Sequence, residues 1–368
     1  MPRSTKQPLS YGDYLKLNKL LACQQPESTR RGRPAHDEML FIVVHQAYEL
    51  WFKQILFELD EIQRLLARQH VEERDVGRIV HAATRIWEIW KLLIGQLDVL
   101  ETMTPLDFLE FRDLLVPASG FQSLQFRLIE VRLGLTRERR ASQYAHTFDR
   151  QFSDADRDRL RRTEAEPSLV QSVGAWLERM PFLDIGGYRF HQVYRQAVLD
   201  MLQGDLRQVE ESASLAEAAR QESRAALLGA LERFKGILEE AEYRRDRERG
   251  VWTLSWRALQ AALFIVLYRD EPILQLPFRL LSRLMDIDET MTAWRHRHAL
   301  MVQRMIGVRI GTGGSVGQAY LRRTTEEHRV FADLFALSTF LIPRSALPPL
   351  PADMRRRMDF AYTTGTPG

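Results

Sequence analysis

His45 and His298 are the two residues of this 368-residue chain whose surroundings best suit chemistry. His45 lies in FIVVHQAYELWF, where Phe41, His45, Tyr48 and Phe52 fall at i, i+4, i+7 and i+11. On a helix that spacing puts the imidazole on one face with three aromatic rings. Such a histidine is either a buried group satisfied by one hydrogen bond, or one that faces an apolar pocket for an aromatic ligand. His298 closes the run WRHRH and shares a helical stripe with Trp294, Met301 and Met305, which turns His296 elsewhere. Neutral imidazole coordinates iron well, so a lone histidine on this stripe can be a haem ligand. It can equally be a core histidine beside solvated arginines.

Arg112 follows Phe108 by four residues in TPLDFLEFRDLL, so a ring and a guanidinium project together. That pair could clamp a carboxylate bidentately; the arginine could also pair on the surface with Glu110, Asp113 or an acid of another helix. The run Gly311-Thr312-Gly313-Gly314-Ser315 is too glycine-dense for a helix interior. Its backbone N–H groups and the Thr312 hydroxyl offer contacts to a polar ligand, or the run is a plain connection. No Walker loop, no G-x-G-x-x-G after a strand, no G-x-S-x-G and no H-E-x-x-H occurs.

The elements that must position these residues are helices. Phe41, Val44, Tyr48, Phe52, Ile55, Leu59 and Ile62 recur at steps of three and four and predict a helix from about 36 to 68. Asp37 and Glu38 would sit in its first turn, where the helix dipole favours acids. A second helix is expected over about 76–102, and Thr104-Pro105 starts a third, since threonine caps and proline tolerates the first position. Apolar periodicity resumes at Trp252 and continues to about 306, and a last helical region runs from about 320 to 337. No stretch sustains the period-two pattern of strands. The fold class is therefore all-α: one large helical bundle over residues 1–368, with a charged helical hairpin at about 205–250. Residues 140–167 read as an exposed polar excursion, and the proline-punctuated tail 345–368 as loosely ordered.

Composition narrows the function. Hydrophobic residues make up 45% and charged residues 27%, enough to bury a core around a large cofactor. A net charge of +3 from 52 basic and 49 acidic residues, scattered along the chain, gives no footprint for a nucleic-acid partner. Cys23 is the only cysteine, which excludes an internal disulfide and a cysteine zinc site and suits a reducing, cytoplasmic location. The polar start and the short apolar stretch 258–268 predict neither a secretory signal nor a membrane span.

Taken together, several long blocks resemble the tryptophan 2,3-dioxygenase family, in the family's order: YGDYLKLNKLL, HDEMLFIVVHQAYELWFKQILFELD, FRDLLVPASGFQSLQFRLIE, YRDEP, LMDIDETMTAWRHRH and RMIGVRIGTGGSVGQAYLR. The likeness runs from about Tyr11 to Arg344 and weakens at about 143–181 and in the charged hairpin. It implies a homotetramer binding one haem b per chain, ferrous in the active state. The reaction implied is cleavage of the indole C2–C3 bond of L-tryptophan with O2 to N-formyl-L-kynurenine, the first step of the kynurenine pathway. By the same resemblance His298 matches the axial iron ligand, and His45 the distal histidine that accepts from the indole N–H. Phe41 and Phe108 match aromatic residues of the substrate pocket, and Arg112 the carboxylate clamp. Thr312 matches the residue at the ammonium and carboxylate end, and Ser119 a pocket-lining serine. Tyr11, Tyr14 and Leu15, within an amino-terminal segment 1–35, match residues that complete a neighbouring subunit's pocket. Two positions depart from a common family pattern. Phe108 stands where some bacterial members carry tyrosine, which leaves more of the carboxylate recognition to Arg112, and Val316 stands where serine is common. The competing readings are a haem dioxygenase of another indole and a non-catalytic haem-binding or helical interaction protein.

Overall fold

A computed structural model of the chain describes residues 8–135, 152–212, 214–307 and 329–358. The part that positions the site is built on two long antecedent helices and a third that returns to them from the far end of the chain. Helix α1 (Glu38–Leu66) contains no glycine or proline, and its apolar stripe is buried as the periodicity requires, from Val44 through Tyr48, Phe52, Ile55, Leu59 and Ile62. Of the two acids expected to favour its dipole, Glu38 does something else. It is buried, and its carboxylate accepts from the backbone N–H groups of Glu27 (2.8 Å) and Ser28 (2.9 Å). One acid thereby satisfies the orphan donors at the start of the short helix Glu27–Arg30.

Helix α2 (Glu73–Leu100) packs along α1 and buries Ile79, Ile86, Trp90, Leu93 and Leu97. Helix α3 (Pro105–Phe111) starts as its sequence predicts. Thr104 Oγ1 accepts from the Asp107 N–H at 3.3 Å while the Asp107 carboxylate accepts from the Thr104 N–H at 2.9 Å, with Pro105 at the first position. It ends in a 3-10 turn that begins at Arg112. Helix α4 (Leu124–Leu133) follows and packs on α1.

The polar stretch read as an exposed excursion is, in its described part, an amphipathic helix. Ser153 caps α5 (Asp154–Glu164), whose Leu160 is buried against Leu128 and Val131 of α4. A single leucine among many charges is a weak signal in sequence, but it suffices once a partner face exists. Helix α6 (Leu169–Glu178) packs on α1, and a two-residue hairpin pairs Asp184–Ile185 with Tyr188–Arg189. Gly186 and Gly187 take φ values of 56° and 86° at its turn, a combination that requires residues without a Cβ penalty. The charged hairpin is present as α7 (Phe190–Glu211) and α8 (Glu217–Leu238), followed by α9 (Glu240–Glu248). Phe190, Tyr194, Val198 and Leu202 form the buried seam of α7, so one face of its base belongs to the core while Gln192, Arg195 and Gln196 face solvent.

Helix α10 (Trp256–Leu267) is the most deeply buried short helix, with eight buried residues from Ala258 to Ile265. Helix α11 (Gln275–Ile306) then runs back along α2, its closest partner. Asp288 of α11 is buried and accepts from the N–H groups of Val330 and Phe331, both at 3.0 Å, which pins the returning chain to this helix. The first half of the last expected helical region, and Thr312 with its glycine-rich run, lie outside the described residues. Within them, Ala332–Ala336 is helical. The tail differs from expectation up to residue 358. Helix α12 (Ala352–Met358) buries Met354 and Met358 four residues apart and turns Arg355, Arg356 and Arg357 outward. Among the described residues no helix is long and apolar enough to cross a membrane.

Candidate functional site

A cavity of about 290 Å³ lies between α1 and α11, at the small end of the range in which organic ligands are enclosed. His45 and His298 both line it, as do Phe41, Phe108, Arg112 and Ser119. Six of the residues singled out in the sequence, spread over 258 positions, are thus brought to one place. Tyr11, Tyr14 and Leu15 are not: they lie in the short helix Tyr11–Leu15, exposed by 75%, 70% and 40%. Thr312 is outside the described residues.

His45 reaches the cavity because its helix buries the stripe on which it sits. Its Nδ1 is 2.7 Å from the Phe41 carbonyl oxygen, one turn back along α1. A carbonyl can only accept, so Nδ1 carries the hydrogen and Nε2 is left as an acceptor. Burial lowers the pKa of His45 below the usual histidine value, against the opposing effects of the Phe41 carbonyl and the nearby Glu49 carboxylate. The aromatic wall is continuous. Phe41 lies 4.1 Å from the His45 ring centroid and 5.7 Å from that of Phe108, and Phe111 packs edge-on against both phenylalanines.

His298 faces the same space from α11, with Trp294, Met301 and Met305 of its stripe also lining the cavity. Its Nδ1 is buried and has no hydrogen-bond partner among the described residues. Its pKa is pushed down to about 4, first by burial and second by the charge of His45. Both imidazoles are therefore neutral near pH 7, the form in which this side chain ligates metals. Among the described residues no group of three or more His, Cys, Asp or Glu is placed to hold a bare metal ion. A metal seated here would have to bring most of its ligands with it, as a porphyrin does. A single neutral histidine on the wall of an apolar, aromatic cavity fits that requirement.

Polar groups enter the cavity at few points. Arg112 is half-buried at the end of α3 and contributes a guanidinium. Ser119 caps the turn Gly120–Gln122, its Oγ accepting from the Phe121 N–H at 3.4 Å. Several lining residues escaped the reading of the sequence. Glu49 receives the Gln125 amide at 2.8 Å, and Glu130 joins Arg127 and Arg295 in a buried ionic group, the Arg295 contact being 2.9 Å. Glu49 could have been found from its i+4 spacing after His45; Glu130 and Arg127 carry no signal of burial in the sequence, because the helices packed around α4, and Arg295 of α11 that pairs with Glu130, are distant along the chain.

Comparison with known proteins gives the same direction. A sequence model described as tryptophan 2,3-dioxygenase matches residues 2–341. A tryptophan 2,3-dioxygenase of Bdellovibrio bacteriovorus is 49% identical over 355 residues, covering 96% of this chain and 99% of that protein. The Dictyostelium discoideum protein of the same name is 47% identical, covering 98% of this chain and 90% of that protein. The one from Aedes aegypti is 45% identical, covering 96% and 90%. With a match of this extent, and with the two histidines and the aromatic cavity in place, this chain belongs to the tryptophan 2,3-dioxygenase family.

Proposed function

We propose that the cavity between α1 and α11 is where this chain adds O2 across the indole C2–C3 bond of L-tryptophan to give N-formyl-L-kynurenine. The observation that carries the reading is the meeting of His45 and His298, two neutral imidazoles from helices far apart in sequence, on one largely aromatic cavity that also contains the Arg112 guanidinium. His298 would hold one haem b per chain through its imidazole, and the haem would supply the iron that activates dioxygen.

The chain's own residues bind and orient. The Nε2 lone pair of His45, freed by the Nδ1 bond to Phe41, is an acceptor suited to an indole N–H. Phe41 and Phe108 give the indole ring apolar faces to pack on, and Arg112 pairs with the amino-acid carboxylate. Fixing both ends of the substrate turns an encounter in solution into an ordered one, which is the main protein contribution available here. No strong base is needed from the protein. Replacing His45 by alanine is therefore expected to lower turnover by about 10- to 100-fold, the cost of one lost neutral hydrogen bond and looser orientation, with haem content unchanged. Abolished turnover would instead point to obligatory proton transfer by the imidazole.

Thr312 is assigned to the ammonium and carboxylate end of the substrate, and Ser119 to the pocket wall. Tyr11, Tyr14 and Leu15 are assigned to the pocket of a neighbouring subunit in a homotetramer. Their support is the exposure of two tyrosines and a leucine on one short helix, apolar area that a lone chain leaves uncovered. A cytoplasmic location agrees with the single exposed cysteine. The test is an anaerobic spectrum of the reduced, haem-loaded protein with and without L-tryptophan, followed by admission of air and identification of the product. The expected result is a substrate-induced spectral change and N-formyl-L-kynurenine. Haem-loaded protein that gives no spectral change and no ring-opened product overturns the reading.

A further inference from the structure

We infer that Trp294 is the positioning residue for His298: its indole face, braced by Tyr48, Trp90 and Phe126, sets the plane of the imidazole. The inference rests on the reading of His298 as the haem ligand. A ligating histidine is usually oriented by the hydrogen bond that its second ring nitrogen donates to a carboxylate or carbonyl. His298 lacks that support among the described residues, since its Nδ1 is buried with no partner. What it has is a parallel ring. The Trp294 and His298 centroids are 5.0 Å apart and their planes differ by 8°, an offset stack in the favoured range.

Trp294 is itself fixed from three other helices. Phe126 of α4 lies 5.2 Å away, Trp90 of α2 5.9 Å and Tyr48 of α1 6.0 Å. Its Nε1–H donates to the Tyr48 hydroxyl at 3.4 Å, a long and weak bond, and that hydroxyl donates to the Leu93 carbonyl at 2.5 Å. The ring contacts, more than the hydrogen bond, are what leave the indole no room to turn. The arrangement has a chemical consequence. Stacking orients the imidazole without drawing on Nδ1–H, and among the described residues no carboxylate raises its basicity as a hydrogen-bonded partner would. It also ties the two sides of the cavity together, because Tyr48 stands three residues after His45 on the same helix.

The test uses the full chain carrying Trp294→Leu, Trp294→Phe, Tyr48→Phe or His298→Ala, each freed of haem and titrated with haemin. The iron–histidine stretching band of the reduced protein is then recorded by resonance Raman. Trp294→Leu is expected to weaken haemin binding by about 10- to 100-fold, as loss of an outer partner does, and to shift and broaden the band. Trp294→Phe keeps an aromatic face and is expected to recover most of both; Tyr48→Phe is expected to change them less than Trp294→Leu. Trp294→Met, whose flexible side chain fills more of the space, replaces the leucine variant if that one does not fold. The inference is overturned if the non-aromatic variant keeps parental affinity and band shape, or if phenylalanine is as damaging as leucine. His298→Ala separates the two readings. If it retains the band and the affinity, the ligand assignment falls; if it loses them while Trp294→Leu keeps them, only the role of Trp294 falls.

Discussion

His298→Ala should yield a folded, colourless protein with no measurable ring-opening activity. Loss of an outer partner of a metal ligand already costs about 10- to 100-fold in affinity, so loss of the ligand itself should cost at least about 100-fold. Absorbance of haem per chain after loading with excess haemin reads this directly. The same change should do little to the apoprotein. The side chain being removed stacks on Trp294, a contact of about 0.5–1.5 kcal/mol. Its buried Nδ1, however, has no partner among the described residues, and burying such a nitrogen costs about 1–3 kcal/mol. These effects oppose one another, so urea unfolding of the apo variant should fall within about 2 kcal/mol of the parent apoprotein. A variant that loads haem and turns over normally would remove the central assignment. One that unfolds would show instead that His298 is a structural residue.

Arg112→Ala should leave haem content intact and raise the Michaelis constant for L-tryptophan. Removing one partner of a buried charge pair costs about 2–5 kcal/mol, or roughly 30-fold to several thousand-fold in affinity. The half-buried position of Arg112 favours the lower part of that range, because solvent shares in screening the pair. Selectivity gives a sharper reading than affinity. The parent should prefer L-tryptophan to tryptamine, which lacks the carboxylate, and the variant should lose most of that preference. Phe108, which carries no hydroxyl to share the carboxylate, stacks near Phe41 and should make the effect larger. If the variant binds L-tryptophan as the parent does, the carboxylate is recognised elsewhere.

Both histidines were legible in the sequence through the residues that share their helical faces. His45 shares its face with Phe41, Tyr48 and Phe52, and the structure keeps that face: Tyr48 and Phe52 are buried and all four residues line the cavity. His298 shares its face with Trp294, Met301 and Met305, and those too line it. Arg112 was less legible, since surface pairing with a nearby acid explained its position equally well. It turns inward because α3 ends at Phe111 and the chain tightens into a 3-10 turn there. The polar stretch before residue 167 is mostly exposed in its described part, as expected, but the few residues by which it and the tail after 345 attach to the core leave little trace in the sequence. Among the described residues the first buries Phe152 and Leu160 and the second Met354 and Met358, too few apolar side chains to produce a visible period.

The amino-acid sequence by itself determined the helices, their caps and the composition of each face, because these depend on a 3.6-residue period and on hydrogen bonds made within a turn. It also placed one imidazole on each of two apolar stripes. Only the tertiary structure decided that the stripes line the same cavity, since that follows from α1 and α11 both packing on α2. Packing likewise decided that both imidazoles are neutral and that a tryptophan lies parallel to one of them. The i+4 spacing brings Trp294 beside His298 on one helix, but desolvation of the imidazole and the rings of Tyr48, Trp90 and Phe126 that brace Trp294 come from helices distant in sequence, and no local pattern of residues encodes them.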